Sequence, residues 1–528
     1  MPKLRRPRAT IASLAVAATL AIGAGAGLSG CGVISGLLPG AATVDTIGTV
    51  DFDTPLAIPP LADSAIDGQG RRIFDLTAQQ GRSEFQEGRQ TTTWGFASGT
   101  GSQSYLGPTL RASRGEPVVV NVANHLDVST TVHWHGMHLP AAMDGGPHQM
   151  IEAGGTWSPS WTIDQPAATL WYHPHPHGET ENHVTMGLAG MFIVDDPVEA
   201  ALPLPRDYGV DDIPVIVQDA RFSADGQLTT DTRGFIGPIG DQLLVNGTIG
   251  PYLPVTTDVV RLRLLNASAA RIYDFGLSDG RDLALIATDG GLLEQPYQTP
   301  AIQLSPGERA EVLVRMTPGE TVTLRSTPPD LGLPDPIAGR NAGGDSLDVL
   351  QLRASDSLAA VGTVPERLVP MDRMTESDAT VQRDFRLDGF TINSQPMDMR
   401  RIDEVVTVGA TELWSVTNGM SMPHSFHVHD VQFQVVSIAG RPPSPELAGW
   451  KDTVYLRPQE EYRLIMRFTD YSDPDFPYMY HCHLLWHEDQ GMMGQFVVVK
   501  PGQQPGTPPK AHAEPRPAAP IDHDHHRP

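Results

Sequence analysis

Near its C-terminus the chain carries a cysteine between two histidines, with further imidazole and sulfur groups close behind: His481-Cys482-His483, His487 and Met492. Successive side chains of a β-strand point to opposite faces, so His481 and His483 face one side and Cys482 faces the other. A histidine from a neighbouring strand, such as His424, completes a set of two imidazoles, a thiolate and a weak thioether. That set is typical of a mononuclear copper site that transfers electrons.

Three further clusters repeat the His-X-His spacing: His133-Trp134-His135, His173-Pro174-His175-Pro176-His177, and His424-Ser425-Phe426-His427-Val428-His429. Each pair of alternate histidines presents two imidazoles on one side of a strand. If the four pairs converge, three copper ions can share their eight nitrogens and keep positions open for dioxygen. A tetrahedral zinc site needs only four ligands and leaves most of these histidines unexplained.

Length and composition indicate a globular, all-β protein of about three domains. The chain has 528 residues, and its 52 glycines and 47 prolines favour short strands joined by turns. Its net charge is −25, and no basic run follows the N-terminal segment. A nucleic-acid partner is therefore not expected.

Runs of strand-like sequence divide the chain into three β-sandwich blocks with a linker between the last two. We predict domains at 62–198, 205–355 and 383–500, a linker at 356–382, a Gly/Ala-rich tether at 32–61, and a disordered Pro-rich tail at 501–528. The middle block contains no histidine, so a structural contribution is expected from it. The tail histidines His523, His525 and His526 are expected to be solvated rather than bound to metal.

Residues 1–31 form a targeting segment, with basic residues followed by an apolar stretch. It ends in Leu28-Ser29-Gly30-Cys31, which resembles a bacterial lipobox. The resemblance implies a lipoprotein anchored through Cys31 to the outer face of the cytoplasmic membrane. An ordinary cleaved signal remains an alternative, and Arg5-Arg6 leaves the export route open. With Cys31 lipidated, Cys482 has no disulfide partner, and a metal is its simplest occupant.

Together these motifs resemble the three-domain multicopper oxidases, including laccases and bacterial cuprous oxidases, from about residue 63 to residue 500. Three further stretches resemble the family: Gly107-Pro108-Thr109-Leu110-Arg111, Ile392-Asn393-Ser394-Gln395 and Gly449-Trp450-Lys451-Asp452-Thr453-Val454. The resemblance implies three cupredoxin-like domains, each a Greek-key β-sandwich. It also implies four copper ions, one of type 1, one of type 2 and a type 3 pair.

The family resemblance assigns the metal ligands residue by residue. It implies that the type 1 ion binds His424, Cys482, His487 and axial Met492, that the type 2 ion binds His133 and His427, and that the type 3 pair binds His135, His173, His175, His429, His481 and His483. Asp144 and Glu488 match acids near the trinuclear site in similar enzymes. They supply protons for dioxygen reduction or support ligand imidazoles by hydrogen bonding, and the sequence favours neither role.

The motifs and the family resemblance together predict an oxidase that takes single electrons from a metal ion or a phenol and passes them to dioxygen. Cuprous, ferrous and manganese ions all remain possible substrates. The chain lacks the methionine-rich insert of similar cuprous oxidases, and Met420 stands where an acid is expected beside Met422. The competing hypotheses are a ligand-free structural relative in cell division, a two-domain nitrite reductase and a copper store.

Overall fold

The structure is a computed structural model, and it describes residues 43–99, 101, 103–230 and 236–509. The predicted signal segment with its lipobox and the tail histidines lie outside these residues. Among the helices of the described ranges, none has the length and apolar character needed to cross a membrane.

The first domain packs two sheets against each other. Its elements, together with the strand β1 that precedes it, are β1 (Thr54–Pro55), β2 (Ser64–Ile66), β3 (Arg72–Gln86), β4 (Arg89–Ser98), β5 (Leu110–Ser113), β6 (Pro117–Asn124), β7 (His133–His135), β8 (Thr156–Trp157), β9 (Ser160–Thr162), β10 (Ala168–His173), α1 (Thr180–Thr185) and β11 (Gly190–Asp195). One sheet has the order β2-β3-β6-β8, with β4 added on β3 and β9 on β6; the other has the order β5-β11-β10-β7. The strand β7 therefore lies at a sheet edge, where both of its histidines can meet another domain.

The second domain also consists of two sheets. Its elements are α2 (Pro197–Ala200), β12 (Asp212–Ala220), β13 (Gln242–Val245), β14 (Pro251–Thr257), β15 (Val259–Asn266), β16 (Tyr273–Leu277), β17 (Leu283–Thr288), β18 (Gly291–Thr299), β19 (Ala301–Leu304), β20 (Arg309–Arg315), β21 (Thr321–Thr327), α3 (Asp335–Ala338) and β22 (Leu347–Ala359). The sheet orders are β13-β12-β15-β20-β17-β18 and β1-β14-β22-β21-β16-β19.

The third domain repeats the two-sheet plan. Its elements are β23 (Val381–Asp388), β24 (Thr391–Ile392), β25 (Glu404–Thr407), β26 (Thr411–Asn418), β27 (His424–Val428), β28 (Phe433–Ile438), β29 (Thr453–Leu456), β30 (Glu461–Arg467), β31 (Asp473–Cys482), α4 (Leu485–Asp489) and β32 (Met493–Val499). The sheet β25-β32-β31-β27-β29 brings the histidine strands β27 and β31 side by side. The architecture confirms the predicted all-β, cupredoxin-like class.

Each domain encloses its own apolar core, and a buried charge network joins the first two domains. Arg263 on β15 pairs with Asp212 at 2.6 Å and with Glu311 at 2.9 Å, and it also donates to the hydroxyl of Thr169 on β10. All of these side chains are buried. Removing one charged member of such a network leaves a buried charge unpaired, which lowers the free energy of unfolding by about 3–5 kcal/mol. The hydroxyl of Thr169 therefore links the first domain by hydrogen bonds to a buried charge network of the second.

The first and last described residues, at 43–61 and 501–509, pack more closely than their composition suggests. The predicted tether includes residues 43–61, but β1 runs parallel to β14 and Asp45 bridges to Ser346, so this segment lies on the second domain. After β32, the amide of Gly506 donates to Pro474 and the carbonyl of Pro509 accepts from His148. Both contacts use backbone atoms, which carry no side-chain pattern for sequence analysis to detect.

Candidate metal centre

The histidine pairs lie at strand ends where the first and third domains meet. The strand β7 contains both members of its pair, whereas β10, β27 and β31 end before the second member: His175, His429 and His483. Strand register places His133 opposite His173, and His427 opposite His481. The alternation of side chains along a strand therefore accounts fully for the pair on β7. In the other three pairs, the second histidine follows the end of its strand and reaches the junction from the turn.

The eight paired imidazoles are buried and converge from the two outer domains. The ring of His133 stacks on that of His429, and the ring of His135 stacks on that of His427, with 3.8 Å between centroids in both cases. Ligand atoms lie close enough to share an ion in three groups: His133, His135 and His173; His133, His427 and His429; and His175, His429 and His481. Overlapping imidazole groups of this kind suit several copper ions held side by side.

His483 adjoins the cluster without belonging to one of those groups. Its ring centroid lies 4.9 Å from that of His135 and 5.4 Å from that of His173. Gly307 of the second domain lies against the same ring, and a Cβ atom there would come within 3.1 Å of it. Gly307 also has a φ of +88°, so both the conformation and the close approach favour glycine. The histidine-free domain therefore helps to enclose the site.

Burial and mutual proximity favour the neutral form of His427 and His429, which is the form that can bind a metal ion. The pKa values of His427 and His429 lie well below the ordinary value, because burial penalises the charged ring and neighbouring histidines add repulsion. Within the described part of the chain, Nε2 of His133 and Nε2 of His427 have no hydrogen-bond partner. Leaving such a buried atom unpaired costs about 1–3 kcal/mol. The residues present therefore fit copper ions as the missing partners.

A second site surrounds Cys482. Its Sγ lies 3.5 Å from Nδ1 of His424 and 3.5 Å from Nδ1 of His487, and those two nitrogens are 3.0 Å apart. Burial raises the pKa of the Cys482 thiol to about 12. A thiolate in this setting requires a cation to replace the proton. Met492 is fully buried, and it adjoins two of the other predicted ligands through the backbone: its amide donates to the carbonyl of His487, and its carbonyl accepts from the amide of Cys482.

The two predicted acids lie against outward-facing nitrogens of the cluster. Oδ2 of Asp144 lies 2.7 Å from Nδ1 of His429. Glu488 spans two other ligands, with Oε1 3.3 Å from Nδ1 of His175 and Oε2 3.2 Å from Nδ1 of His481. Both acids are buried, so each is placed either to orient its ligands or to hand a proton inward.

Sequence reasoning missed a third carboxylate, Asp452. Its Oδ1 lies 3.0 Å from Nε2 of His135, while Arg309 donates to Oδ1 and Oδ2 at 2.7 Å each. His135, His427 and Asp452 also form a group of potential metal ligands, but Arg309 already occupies both carboxylate oxygens. Asp452 therefore supports a ligand rather than serving as one. Asp452 lies in the family-like stretch 449–454, but nothing in that stretch indicates its role, because its partner Arg309 belongs to another domain.

The remaining histidines of the described ranges fall outside every metal-capable group. His125 and His177 are exposed, whereas His138, His148 and His183 bond to Asp470, Gln495 and Thr130. None of these five residues is among the ligands that the family resemblance assigns.

Copper loading should stabilise the fold markedly. At a free ion concentration about 1,000 times the dissociation constant, each site adds about 4 kcal/mol to the free energy of unfolding. We therefore expect calorimetry to show a higher Tm for copper-loaded protein than for chelator-stripped protein. Magnesium, which prefers oxygen ligands, serves as the control and should leave Tm unchanged. Equal Tm values with and without copper would contradict the site.

Fold and site together define a three-domain, all-β metalloprotein with a Cys-His₂ site beside a cluster of shared imidazoles. Sequence models of multicopper oxidase domains match residues 77–199, 216–323 and 366–502. The chain belongs to the multicopper oxidase family, as the resemblance predicted. Multicopper oxidases in general couple copper-dependent oxidation of a reducing substrate to the reduction of dioxygen.

Individual relatives carry two kinds of name. The chain is 38% identical to cell division protein FtsP of Xenorhabdus nematophila, over 85% of this chain and 93% of that protein. It is 34% identical to multicopper oxidase mco of Staphylococcus aureus, over 84% and 92%. Among solved structures, the laccase-like multicopper oxidase CueO of Ochrobactrum sp. is 36% identical with a TM-score of 0.76, covering 84% of this chain and 100% of its own.

Proposed function

We propose that this protein is a copper-dependent oxidase that couples one-electron oxidation of a metal ion or a phenol to four-electron reduction of dioxygen to water. Copper ions, when bound, supply the one-electron chemistry and the reduction of dioxygen. The observation that carries the proposal is the position of Cys482. It groups with His424 and His487, while its chain neighbour His481 belongs to the imidazole cluster and its other chain neighbour, His483, adjoins that cluster.

The proposal assigns four ions to the two sites. A type 1 ion takes His424, Cys482, His487 and Met492; a type 2 ion takes His133 and His427; and a type 3 pair takes His135, His173, His175, His429, His481 and His483. The close approach of Nε2 atoms in His175, His429 and His481 supports this division. So does the absence, within the described ranges, of a hydrogen-bond partner on Nε2 of His133 or His427.

The reducing substrate is proposed to approach at His487. Its ring is fully buried, but it lies beneath Phe390, whose centroid is 5.3 Å away, and beside Trp486. Both aromatic residues are half-buried, so they form a partly exposed layer over this ligand of the cysteine site. An electron donor held there is separated from the site by one imidazole.

The acids are proposed to serve the dioxygen-reducing cluster. Reduction of dioxygen to water consumes four protons along with four electrons, so carboxyl groups near the reacting atoms have a chemical purpose. Glu488 bridges His175 and His481, and Asp144 contacts His429. One imidazole ring therefore separates each acid from the proposed copper ions.

The N-terminal sequence supports an extracytoplasmic location with Cys31 as a lipid anchor. This part of the proposal depends on residues outside the described ranges. Labelling with a palmitate analogue in a bacterial host, with Cys31→Ala as control, tests it; equal labelling of both proteins contradicts it.

A non-enzymatic role is the main competitor, since several relatives are named cell division proteins. The retained ligands weigh against it, because a purely structural protein gains nothing from buried, unpaired imidazole nitrogens that cost stability. The amount of oxygen consumed distinguishes a copper store from an oxidase. A store can reduce oxygen only with the electrons of the Cu(I) ions that it holds, so its oxygen uptake stops once each ion has been oxidised.

Oxygen-uptake kinetics on copper-loaded protein test the proposal. We expect many turnovers with at least one of Cu(I), Fe(II) and a phenol, together with intense blue absorption from the cysteine site. Chelator-stripped protein is the control and should consume no oxygen above background. Copper-replete protein that shows neither blue absorption nor oxygen uptake overturns the proposal.

A further inference from the structure

The imidazole of His135 is turned the opposite way from its neighbours. Its Nδ1 faces the cluster, 3.3 Å from Nε2 of His173, and its Nε2 faces outward to Asp452. By contrast, His175 and His481 approach each other through their Nε2 atoms. To offer a lone pair at Nδ1, His135 must carry its proton on Nε2, and that proton needs an acceptor.

Two acceptors lie within reach of that proton, and they differ in whether they restrict the tautomer of His135. The hydroxyl of Thr453 lies 3.0 Å from Nε2 of His135, but a hydroxyl donates as readily as it accepts. A carboxylate only accepts, so Oδ1 of Asp452, also at 3.0 Å, permits one tautomer alone. The choice of tautomer therefore depends on keeping that carboxylate in place.

Arg309 of the second domain holds the carboxylate of Asp452. Its two terminal nitrogens donate to the two oxygens at 2.7 Å, a bidentate arrangement that fixes the plane of the acid. Arg309 is itself held, because its Nε donates to the carbonyl of Thr169 and its backbone amide donates to Asp289 at 2.7 Å. The guanidinium is fully buried, so solvent does not compete for it.

We propose that Arg309 is a positioning residue of the imidazole cluster: it locks Asp452 so that His135 keeps its proton on Nε2 and presents Nδ1 to the metal. This inference rests on the proposed copper site and gives the histidine-free domain a specific part in it. The second domain thereby selects the binding atom of a ligand that belongs to the first domain, through an acid that belongs to the third.

The test compares Arg309→Gln with Arg271→Gln. Arg271 is an equally buried arginine of the same domain, paired with Asp345 at 2.7 Å and Asp219 at 3.1 Å, so it controls for the general cost of removing a buried guanidinium. Arg309→Gln should lower copper affinity at the cluster by about 10- to 100-fold, as loss of a ligand's supporting partner typically does. The near-ultraviolet absorption that the type 3 copper pair gives this variant should fall. The blue absorption of the site at Cys482 should persist.

Arg271→Gln should keep copper affinity and both absorptions at wild-type levels. The inference is overturned if Arg309→Gln retains wild-type affinity and near-ultraviolet absorption, or if both variants lose them equally. Wild-type protein lacking every copper absorption instead overturns the proposed function. Should Arg309→Gln not fold, nitrogen-15 NMR of copper-free wild-type protein decides, with the His135 signal assigned by its loss in His135→Gln. A proton found on Nδ1 of His135 overturns the inference, and one on Nε2 supports it.

Discussion

Cys482→Ser is expected to abolish both the intense blue absorption and steady-state oxygen uptake. A serine hydroxyl does not supply the soft thiolate that this ligand set requires, and its oxygen offers no equivalent route for electrons between the two sites. The imidazole cluster does not use the sulfur, so its ions should still bind. Copper analysis should therefore show one ion fewer per chain, with the near-ultraviolet absorption of the cluster retained.

A conservative change at a neighbouring buried residue provides the control. Met493 begins β32 directly after Met492, is buried, and is paired in register with His481. Met493→Leu changes shape but little volume, and such exchanges cost less than about 1.5 kcal/mol. It should keep blue absorption and turnover. If Cys482→Ser retained oxygen uptake with the same substrate, electron entry through the cysteine site would be excluded.

The all-β class and the clustering of the histidines follow from local features of the sequence. Gly/Pro-rich turns separate short apolar runs, and the paired histidines fall at the ends of those runs. Strand alternation describes His133 and His135 well, because β7 contains both. It describes His173 and His175 less well, since Pro174 lacks the amide that a strand ladder needs and β10 ends before it.

What could not be predicted depends on contacts between domains. The bond of His135 to Asp452 depends on Arg309, which is distant in the chain and carries no motif. The position of residues 43–61 depends on backbone pairing of β1 with β14, for which side-chain identity gives no signal. Spacing within a motif therefore identifies ligands, whereas the groups that orient those ligands become visible only after the domains are packed together.

Glu488→Gln should separate the two roles that the sequence left open for this acid. The carboxylate lies 3.3 Å from His175 and 3.2 Å from His481, and it also accepts a 2.7 Å hydrogen bond from Thr180. Glutamine preserves the shape but cannot give up a proton. If Glu488 delivers protons, kcat for oxygen reduction should fall by about 10²- to 10⁴-fold, the range for general acid catalysis. Copper content and blue absorption should stay at wild-type levels.

The supporting role predicts a different pattern for the same variant. Without a carboxylate to hold His175 and His481, copper content at the cluster should fall together with activity, by about 10- to 100-fold in affinity. Glu181→Gln is the control, because Glu181 is a neighbouring buried acid on α1 whose pKa burial raises to about 7. Its Oε2 has no hydrogen-bond partner among the described residues, so its loss should leave copper content and kcat within about twofold of wild type.

Stopped-flow reduction of the blue site under anaerobic conditions completes the separation of the two roles, since proton delivery to dioxygen plays no part in that step. An unchanged rate of blue-site reduction with a large loss of oxygen turnover assigns Glu488 to proton transfer, and wild-type oxygen turnover in Glu488→Gln excludes that role.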